Sequence, residues 1–261
     1  MKFLPSILVL IAIALTGCSK NKRPSYGNRT VKIMPVGDSI TAGENYGHPP
    51  INERTGYRQP LYNLLKSENY NFDFVGSTQH GKGISADKAY DWNSESYPGW
   101  DIPKISKEVL PKLSMFQPDV LLVHMGTNGS DWDQKPGQLA KFLDGVDSYA
   151  VSNNKDVVVL VALIINHYEG RDRKVSAFNQ RVREMVPSRK NQRIQVKLVN
   201  MERGAGIDYS DKEPDPATGY AGGDMMGRKH PKTDMDRLHP NDRGYKKMAV
   251  KWFQALKPYL N

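Results

Sequence analysis

The sequence lacks the residues that would support disulfide bonds, a zinc site or a bundle of membrane-spanning helices. It contains a single cysteine, Cys18, and one thiol cannot form an internal disulfide. Its six histidines are scattered, and it has neither a His-Glu-x-x-His stretch nor a pair of cysteines, so no metal site is expected. Charged residues at 25% and hydrophobic residues at 38% are typical of globular chains. This composition excludes disordered, collagenous and multi-span membrane proteins.

The sequence also lacks a concentrated run of basic residues, although its net charge is positive. Lysine and arginine number 37 against 28 acidic residues, which gives a formal charge of +9. No short window holds more than three basic residues and no nucleic-acid-binding motif is present, so a nucleic-acid partner is not expected. The excess charge favours at most a weak attraction to anionic surfaces.

The N-terminus carries a short apolar run behind a positive charge. The run from Phe3 to Leu15 follows Lys2 and ends in Leu15-Thr16-Gly17-Cys18. Its thirteen residues are fewer than the roughly 20 that a membrane-spanning helix needs. The pattern resembles a bacterial lipoprotein signal peptide. We therefore expect residues 1–17 to be a signal peptide and Cys18 to carry the lipid; the alternative is an uncleaved anchor or a buried helix.

The residues after Cys18 have the composition of a tether. Residues 18–30 are polar and basic and contain few apolar side chains. We expect them to link the lipid to one folded domain at residues 31–261. The resemblance to lipoproteins of Gram-negative bacteria implies a cell-envelope protein, lipid-anchored to a bacterial membrane and facing the periplasm or the outer surface.

From residue 31 onward, short β-branched runs alternate with amphipathic segments. Near-continuous apolar runs indicate strands covered on both faces, at Val31–Val36, Phe72–Val75, Val120–Met125, Val157–Ile165 and Ile194–Val199. Helical spacing occurs around residues 57–65, 102–113, 139–150, 175–186 and 245–256. This alternation predicts a three-layer α/β/α fold with a five-stranded, doubly wound (flavodoxin-like) parallel sheet and its site at the carboxyl ends of the strands. Residues 202–236 have no period and are expected to form a long loop.

Two short motifs at opposite ends of this domain carry residues suited to nucleophilic catalysis. Gly37-Asp38-Ser39 follows the first strand, where an α/β enzyme can expose a nucleophile beside a free backbone N–H. Asp236-Arg237-Leu238-His239 precedes the last helix, and an aspartate at this spacing can orient the histidine to accept a serine proton. Taken singly, Gly-Asp-Ser is also a common turn, and a lone histidine in a loop is more often a surface residue.

Four blocks, taken in their order, resemble the SGNH (GDSL) hydrolase superfamily. They are Gly37-Asp38-Ser39, the glycine of Ser96-Tyr97-Pro98-Gly99-Trp100, Gly126-Thr127-Asn128, and Asp236 with His239. Together they span nearly all of residues 31–259. Further stretches, among them Gly56-Tyr57-Arg58 and Phe74-Val75-Gly76-Ser77, are similar to the branch of carbohydrate esterase family three, which is acetylxylan esterase-like.

The resemblance implies a serine esterase that uses no cofactor and no metal. It assigns the nucleophile to Ser39, the general base to His239 and the orientation of that histidine to Asp236. It places the oxyanion among the backbone N–H groups of Ser39 and Gly99 and the side-chain amide of Asn128. The implied partners are therefore an acylated carbohydrate or another small ester, and a membrane reached through the lipid on Cys18.

One position departs from the family pattern. The third block usually continues Gly-x-Asn-Asp, whereas Gly129 follows Asn128 here. The missing carboxylate has none of the assigned roles, so activity is still expected, but the Asn128 loop loses a support. Restoring aspartate should be tolerated if Gly129 has a negative φ, and destabilising if its φ is positive.

The leading hypothesis is removal of small acyl groups, acetyl above all, from carbohydrate esters through an acyl-enzyme on Ser39. Two alternatives stay open: a lipid or thioester acylhydrolase, since one fold serves many acyl chemistries, and a catalytically inactive, membrane-tethered carbohydrate-binding protein. The complete set of Ser39, Asp236 and His239 argues against inactivity. Aromatic residues near the expected site could stack on sugars or simply pack, namely Tyr90, Trp92, Tyr97, Trp100 and Trp132.

Overall fold

The computed structural model describes residues 29–44, 50–83, 90–167, 172–209, 225 and 238–260. Its strands are β1 (Val31–Gly37), β2 (Phe72–Phe74), β3 (Glu95–Ser96), β4 (Val120–His124), β5 (Val157–Leu163) and β6 (Ile194–Asn200). Its helices are α1 (Ser39–Ala42), α2 (Arg58–Ser67), α3 (Ile102–Val109), α4 (Leu113–Phe116), α5 (Lys135–Ser152), α6 (Arg173–Ser188), α7 (Met201–Gly204) and α8 (Asp242–Leu256). The five strands predicted from the sequence lie within two residues of their expected ends.

The strands form one parallel sheet in the order β2-β1-β4-β5-β6. This is the flavodoxin-like order that the sequence predicted, and the order reverses between β1 and β4, where such sheets bind their ligands. β3 is a sixth strand that the sequence did not reveal. It pairs with the end of β1 at Val36 and Gly37, on the edge that β2 leaves free. Its two residues, Glu95 and Ser96, are polar and form no apolar run.

Helices cover both faces of the sheet because successive residues of a strand point to opposite sides. On one face, strand residues such as Ile33 and Leu122 pack on α2, α7 and α8, where Trp252 is fully buried. On the other face, Met34 and Val123 pack on α3, α5 and α6. The predicted three-layer α/β/α architecture is therefore confirmed.

The segment predicted as a single helix over residues 102–113 is divided. After α3 a 3₁₀ turn covers Leu110–Lys112, and α4 follows it. Pro111 has no N–H to donate into an α-helical ladder, so the chain tightens at this point. Pro103 is tolerated because it lies in the first turn of α3.

Two irregular segments begin or end differently from expectation. α7 takes up the start of the loop predicted at residues 202–236, because the Asn200 side chain caps this helix by accepting from the Arg203 N–H at 3.2 Å. Beyond residue 209, that segment lies outside the described residues except for Met225. At the N-terminal end, Arg29 donates two hydrogen bonds to Asp119 at 2.7 and 2.8 Å, so the last residues of the expected tether contact the domain.

The expected signal peptide and lipid attachment point, residues 1–17 and Cys18, lie outside the described residues. Among the helices that the structure describes, none is both long enough and apolar enough to cross a bilayer.

Candidate active site

Ser39 lies at the turn between β1 and α1. The end of β1 pairs with β4 on one side and with β3 on the other, so the turn is held from both sides. Asp38 caps α1 because its Oδ1 accepts from the Ile40 N–H at 3.0 Å, which makes Ser39 the first helical residue. The Ser39 side chain is buried at the point where the strand order reverses.

His239 reaches Ser39 from the other end of the chain. Its Nε2 lies 2.8 Å from Ser39 Oγ, although the two residues are 200 positions apart. Asn241, which accepts from the Gly244 N–H at 3.1 Å, caps α8 directly after His239 and fixes where this helix begins. A hydroxyl at this distance from a ring nitrogen can transfer its proton to it. Asp236, the third residue of the predicted triad, lies outside the described residues.

The Asp38 carboxyl is fully buried beside this pair. Burial raises the pKa of Asp38 to about 6, against opposing effects of the Ile40 N–H, Thr127 and His239. Oδ2 has no partner of ordinary hydrogen-bond geometry in the described part of the chain, but the hydroxyl and N–H of Thr127 lie close enough to lower the pKa of the carboxyl. A buried, half-satisfied carboxylate destabilises the fold, and the nearby His239 ring is among the groups that favour its ionised form.

Gly99 lies on the segment that continues from β3. The Tyr97 N–H donates to the Gly37 carbonyl at 2.9 Å, which anchors this segment directly beside the Ser39 turn. Gly99 has a φ of +78°, and a Cβ at this position would meet no protein atom within 4 Å. This left-handed backbone conformation itself favours glycine at the position.

Asn128 follows β4, on the opposite side of β1 from β3. Its Nδ2 donates to the Trp100 carbonyl at 3.2 Å, which joins the Asn128 loop to the residue after Gly99. The amide nitrogen carries two hydrogens, and this bond uses one of them. Ser39, Gly99 and Asn128 therefore lie on three neighbouring segments at the carboxyl edge of the sheet.

Gly129 has a φ of +90°, so of the two conformations considered from the sequence the positive one is observed. A Cβ at Gly129 would lie 3.2 Å from the Cβ of Asp101, the residue that caps α3. Any side chain here is strained by the backbone and also crowded. The loop has therefore taken a path that the usual aspartate does not fit well.

Arg58 stabilises the Ser39 turn through hydrogen bonds to backbone carbonyls, a role that the sequence did not reveal. Its guanidinium is fully buried. It donates to five backbone carbonyls, those of Thr41 (2.9 Å), Ala42 (3.0 Å), Arg54 (2.9 Å), His80 (3.0 Å) and Trp92 (2.7 Å). Two of these belong to α1, so Arg58 ties the turn to the loops that precede β3. Its spacing of three and seven residues from Leu61 and Leu65 places it on the buried face of α2, and this spacing was the available signal.

Trp100 is the most exposed of the five aromatic residues considered for sugar stacking, at 36%. Its ring stacks on Tyr97 with 4.8 Å between centroids, and the Tyr97 hydroxyl is hydrogen-bonded to the buried Glu95. Tyr90 is buried and Trp132 packs edge-on against a core phenylalanine. Trp100 is thus the aromatic side chain that the structure presents beside Gly99.

Two other histidines belong to the core. His80 Nδ1 lies 2.9 Å from Ser96 Oγ, and His124 Nε2 accepts from the Ile165 N–H at 3.3 Å. Burial lowers the pKa of His80 and of His124 to about 4, so both are neutral at physiological pH. Among the residues that the structure describes, no three histidine, cysteine, aspartate or glutamate side chains are grouped to hold a metal ion.

Known proteins share this architecture. A carbohydrate esterase family 3 structure from Talaromyces cellulolyticus matches with a TM-score of 0.66 at 22% identity, covering 88% of this chain and 98% of that one. A family 3 carbohydrate esterase from Clostridium thermocellum matches with a TM-score of 0.60 at 25% identity, covering 89% and 100%. A multidomain esterase from Ruminococcus flavefaciens is 26% identical over an alignment of 258 residues, which covers 88% of this chain but only 29% of that protein.

The family model for GDSL-like lipase/acylhydrolases matches residues 33–252. The matched range contains every residue that the sequence assigned to the catalytic site, from Ser39 to His239. The chain therefore belongs to the GDSL-like lipase/acylhydrolase family.

Proposed function

We propose that the protein is a serine esterase that removes small acyl groups, acetyl above all, from carbohydrate esters. The observation that carries the serine chemistry is the 2.8 Å contact between Ser39 Oγ and His239 Nε2. This contact supports transfer of the serine proton while the hydroxyl attacks a carbonyl carbon. The carbohydrate esterases among the structural relatives, one of them 25% identical, support the substrate class.

The proposed reaction has two halves. In the first, Ser39 Oγ attacks the ester carbonyl while His239 Nε2 takes the hydroxyl proton of Ser39. The protonated His239 then gives this proton to the sugar oxygen, which departs as an alcohol, and the acyl group stays on Ser39 as an ester. In the second, His239 takes a proton from water, the resulting hydroxide attacks the acyl carbonyl, and the proton returns to Ser39 Oγ as the acid leaves. Asp236 is assigned to orient the ring and stabilise its protonated form.

Negative charge develops on the carbonyl oxygen in both halves. We assign its stabilisation to the backbone N–H groups of Ser39 and Gly99 and to the second hydrogen of the Asn128 amide. The bond from Asn128 to the Trp100 carbonyl supports this assignment because it fixes the amide beside the Gly99 segment. Donors of this kind contribute about 3–4 kcal/mol each to transition-state binding.

Trp100 supports the carbohydrate part of the proposal. One face of its ring is covered by Tyr97, while 36% of the residue stays exposed next to Gly99. A flat apolar surface beside the oxyanion donors suits the C–H face of a sugar ring, whereas an acyclic ester such as ethyl acetate has no ring to stack on it.

The chemistry is tested with p-nitrophenyl esters from acetate to palmitate. We expect acetate to be the fastest substrate, and Ser39→Ala and His239→Ala each to lose nearly all activity while keeping the parent's circular dichroism spectrum and Tm. A residual rate of about 10³-fold over water is compatible with the triad. If either variant kept a tenth of the parental rate, the role assigned to that residue would be wrong. A preference for palmitate would favour the lipid acylhydrolase instead.

The substrate class is tested with an acetylated xylo-oligosaccharide and ethyl acetate side by side. Trp100→Ala should raise KM for the oligosaccharide by about tenfold while changing kcat/KM for ethyl acetate less than twofold, because ethyl acetate has no ring to stack on the indole. Equal effects on both substrates would remove Trp100 from sugar binding.

The proposal includes a lipid on Cys18 that holds the domain at a bacterial membrane in the cell envelope. The support is the apolar run of residues 3–15 that ends at this cysteine. Palmitate label should enter the parent and be absent from Cys18→Ala, and several buried acyl chains at about 0.8 kcal/mol per CH₂ would make the attachment stable. Label that persists in Cys18→Ala would end this part of the proposal.

A further inference from the structure

Lys135 is a buried lysine directly behind the Asn128 loop. It is the first residue of α5 and is only 2% exposed. Its Nζ donates to the Gly126 carbonyl at 2.7 Å and lies 3.1 Å from the centre of the Trp132 ring. Within the described residues this carbonyl is its hydrogen-bond partner, and no carboxylate oxygen lies within 4 Å of it.

The position of this ammonium opposes ordinary preferences in two ways. A buried cation without a close counter-ion loses its hydration, and a cation at the N-terminus of a helix faces the positive end of the helix dipole. Burial accordingly lowers the pKa of Lys135 to about 8. The contacts with the Gly126 carbonyl and the face of Trp132 help to offset these effects, as do the more distant charges of Asp38, Asp172 and Asp101.

The same side chain lies close to both ends of the Asn128 loop. The Gly126 carbonyl, held by Nζ, is two residues before Asn128. On the other side, Lys135 Cε lies 3.9 Å from the position that a Cβ would have on Gly129. Lys135 thus lies where it can support the turn in which Gly129 replaces the aspartate of the related enzymes.

We propose that Lys135 is a positioning residue that holds residues 126–129 so that the Asn128 amide donates into the oxyanion hole. The inference rests on the role proposed for Asn128. It adds that an ammonium behind the loop, rather than a carboxylate within it, provides the support in this chain.

The first test compares Lys135→Met with Lys141→Met, an exposed lysine on the same helix, using p-nitrophenyl acetate well below the Tm. We expect Lys135→Met to lower kcat by about 10- to 100-fold with KM changed less than twofold, because a misplaced donor affects the transition state rather than substrate binding. Lys141→Met should match the parent. A kcat of Lys135→Met within twofold of the parent would overturn the inference.

A double-mutant cycle then asks whether Lys135 acts through Asn128. If it does, Lys135→Met should lower kcat less than twofold further in an Asn128→Ala background. Full additivity would overturn the inference and leave the oxyanion role of Asn128 intact. An Asn128→Ala variant with parental kcat, alongside an impaired Lys135→Met, would contradict both the proposed role of Asn128 and the inference.

The pH dependence of kcat is a third test, because a lysine with a purely structural role would not add a step to it. The charged groups that face Lys135 come from the Ser39 turn, the start of α3, the segment after β5 and the start of α6; they are Asp38, Asp101, His167, Asp172 and Lys174. We expect kcat of the parent to fall above a pH of about 8 and Lys135→Met to lack this step. Trp132→Leu removes the aromatic face and should move the step down by about 0.5–1 pH unit. A step that persists in Lys135→Met would overturn the inference.

Discussion

Asp38 permits a direct test of the electrostatics of this site, because its carboxyl is fully buried and one oxygen has no hydrogen-bond partner among the described residues. Asparagine keeps the shape and the cap, since its side-chain oxygen can still accept from the Ile40 N–H. The charge is what changes. We expect Asp38→Asn to be more stable than the parent at alkaline pH and less active, because a negative charge near the His239 ring is lost.

The sign follows from two pKa values. The pKa of this carboxyl is 3.8 in ordinary surroundings and about 6 in the folded protein. Between these values the unfolded chain is ionised while the folded protein keeps its proton, so the contribution of Asp38 to stability falls as pH rises from about 4 to 6 and is then level. A shift of about two units corresponds to about 3 kcal/mol. Asp38→Asn should therefore gain about 3 kcal/mol at pH 8 and less than about 1 kcal/mol at pH 4.

Urea unfolding at pH 4 and pH 8, followed by circular dichroism, measures both gains. Subtracting the parent at each pH removes the titration of all other groups. Asp101→Asn is the matched control, because Asp101 caps α3 in the same way but is a third exposed, and no comparable gain is expected. An Asp38→Asn variant that is less stable at pH 8, or equally more stable at both pH values, would refute the reasoning.

Two further substitutions test the scaffold around the site. Gly129→Asp should lower the free energy of unfolding by about 1–2 kcal/mol, because the φ of +90° strains any L side chain. Gly137→Ala, in an open helical position, is the control and should be neutral or stabilising. Thermal melts that show the reverse for the two variants would contradict this account. Arg58→Leu removes five hydrogen bonds to backbone carbonyls, three of them buried, and should cost at least about 3 kcal/mol in urea unfolding. Lys66→Leu, exposed on the same helix, should change little, and equal losses would mean that the Arg58 hydrogen bonds add nothing.

The main strands of the fold could be predicted from the sequence, because a strand that is covered on both faces needs apolar residues at nearly every position. The strand Val157–Leu163 has no polar position to interrupt the apolar run, whereas the edge strand β6 also contains Gln195 and Lys197. The approach of Ser39 and His239 was predictable for a different reason: the order of the four blocks, rather than any one of them, is specific. Asp236 and Cys18 lie outside the described residues, so their roles stay predictions.

The buried charged residues that support the site could not be predicted in the same way, because a hydrophobic pattern assigns charged residues to the protein surface. Arg58 and Lys135 are both buried. Arg58 donates to five backbone carbonyls, two of them in loops more than twenty residues away, and Lys135 donates to the Gly126 carbonyl, nine residues before it. β3 was missed for a similar reason, since the buried Glu95 of this strand accepts from the Ser77 N–H at 2.6 Å. In each case a contact made only in the folded protein compensates for burying a polar group.

Asp38 and Lys135 bring two buried, opposite charges to the site, and the charge of Asp38 affects the titration of Lys135. The charge of Asp38 raises the pKa of Lys135 and so opposes the effect of burial, which lowers it to about 8. Removing that charge in Asp38→Asn should therefore move the alkaline fall in kcat to a lower pH, by on the order of half a unit. Asp144→Asn, at an exposed carboxylate further along α5, should leave the profile unchanged. If the alkaline limb of Asp38→Asn stayed in place or moved upward, the limb would belong to a group other than Lys135, and the electrostatic link between the Ser39 turn and the Asn128 loop would have to be abandoned.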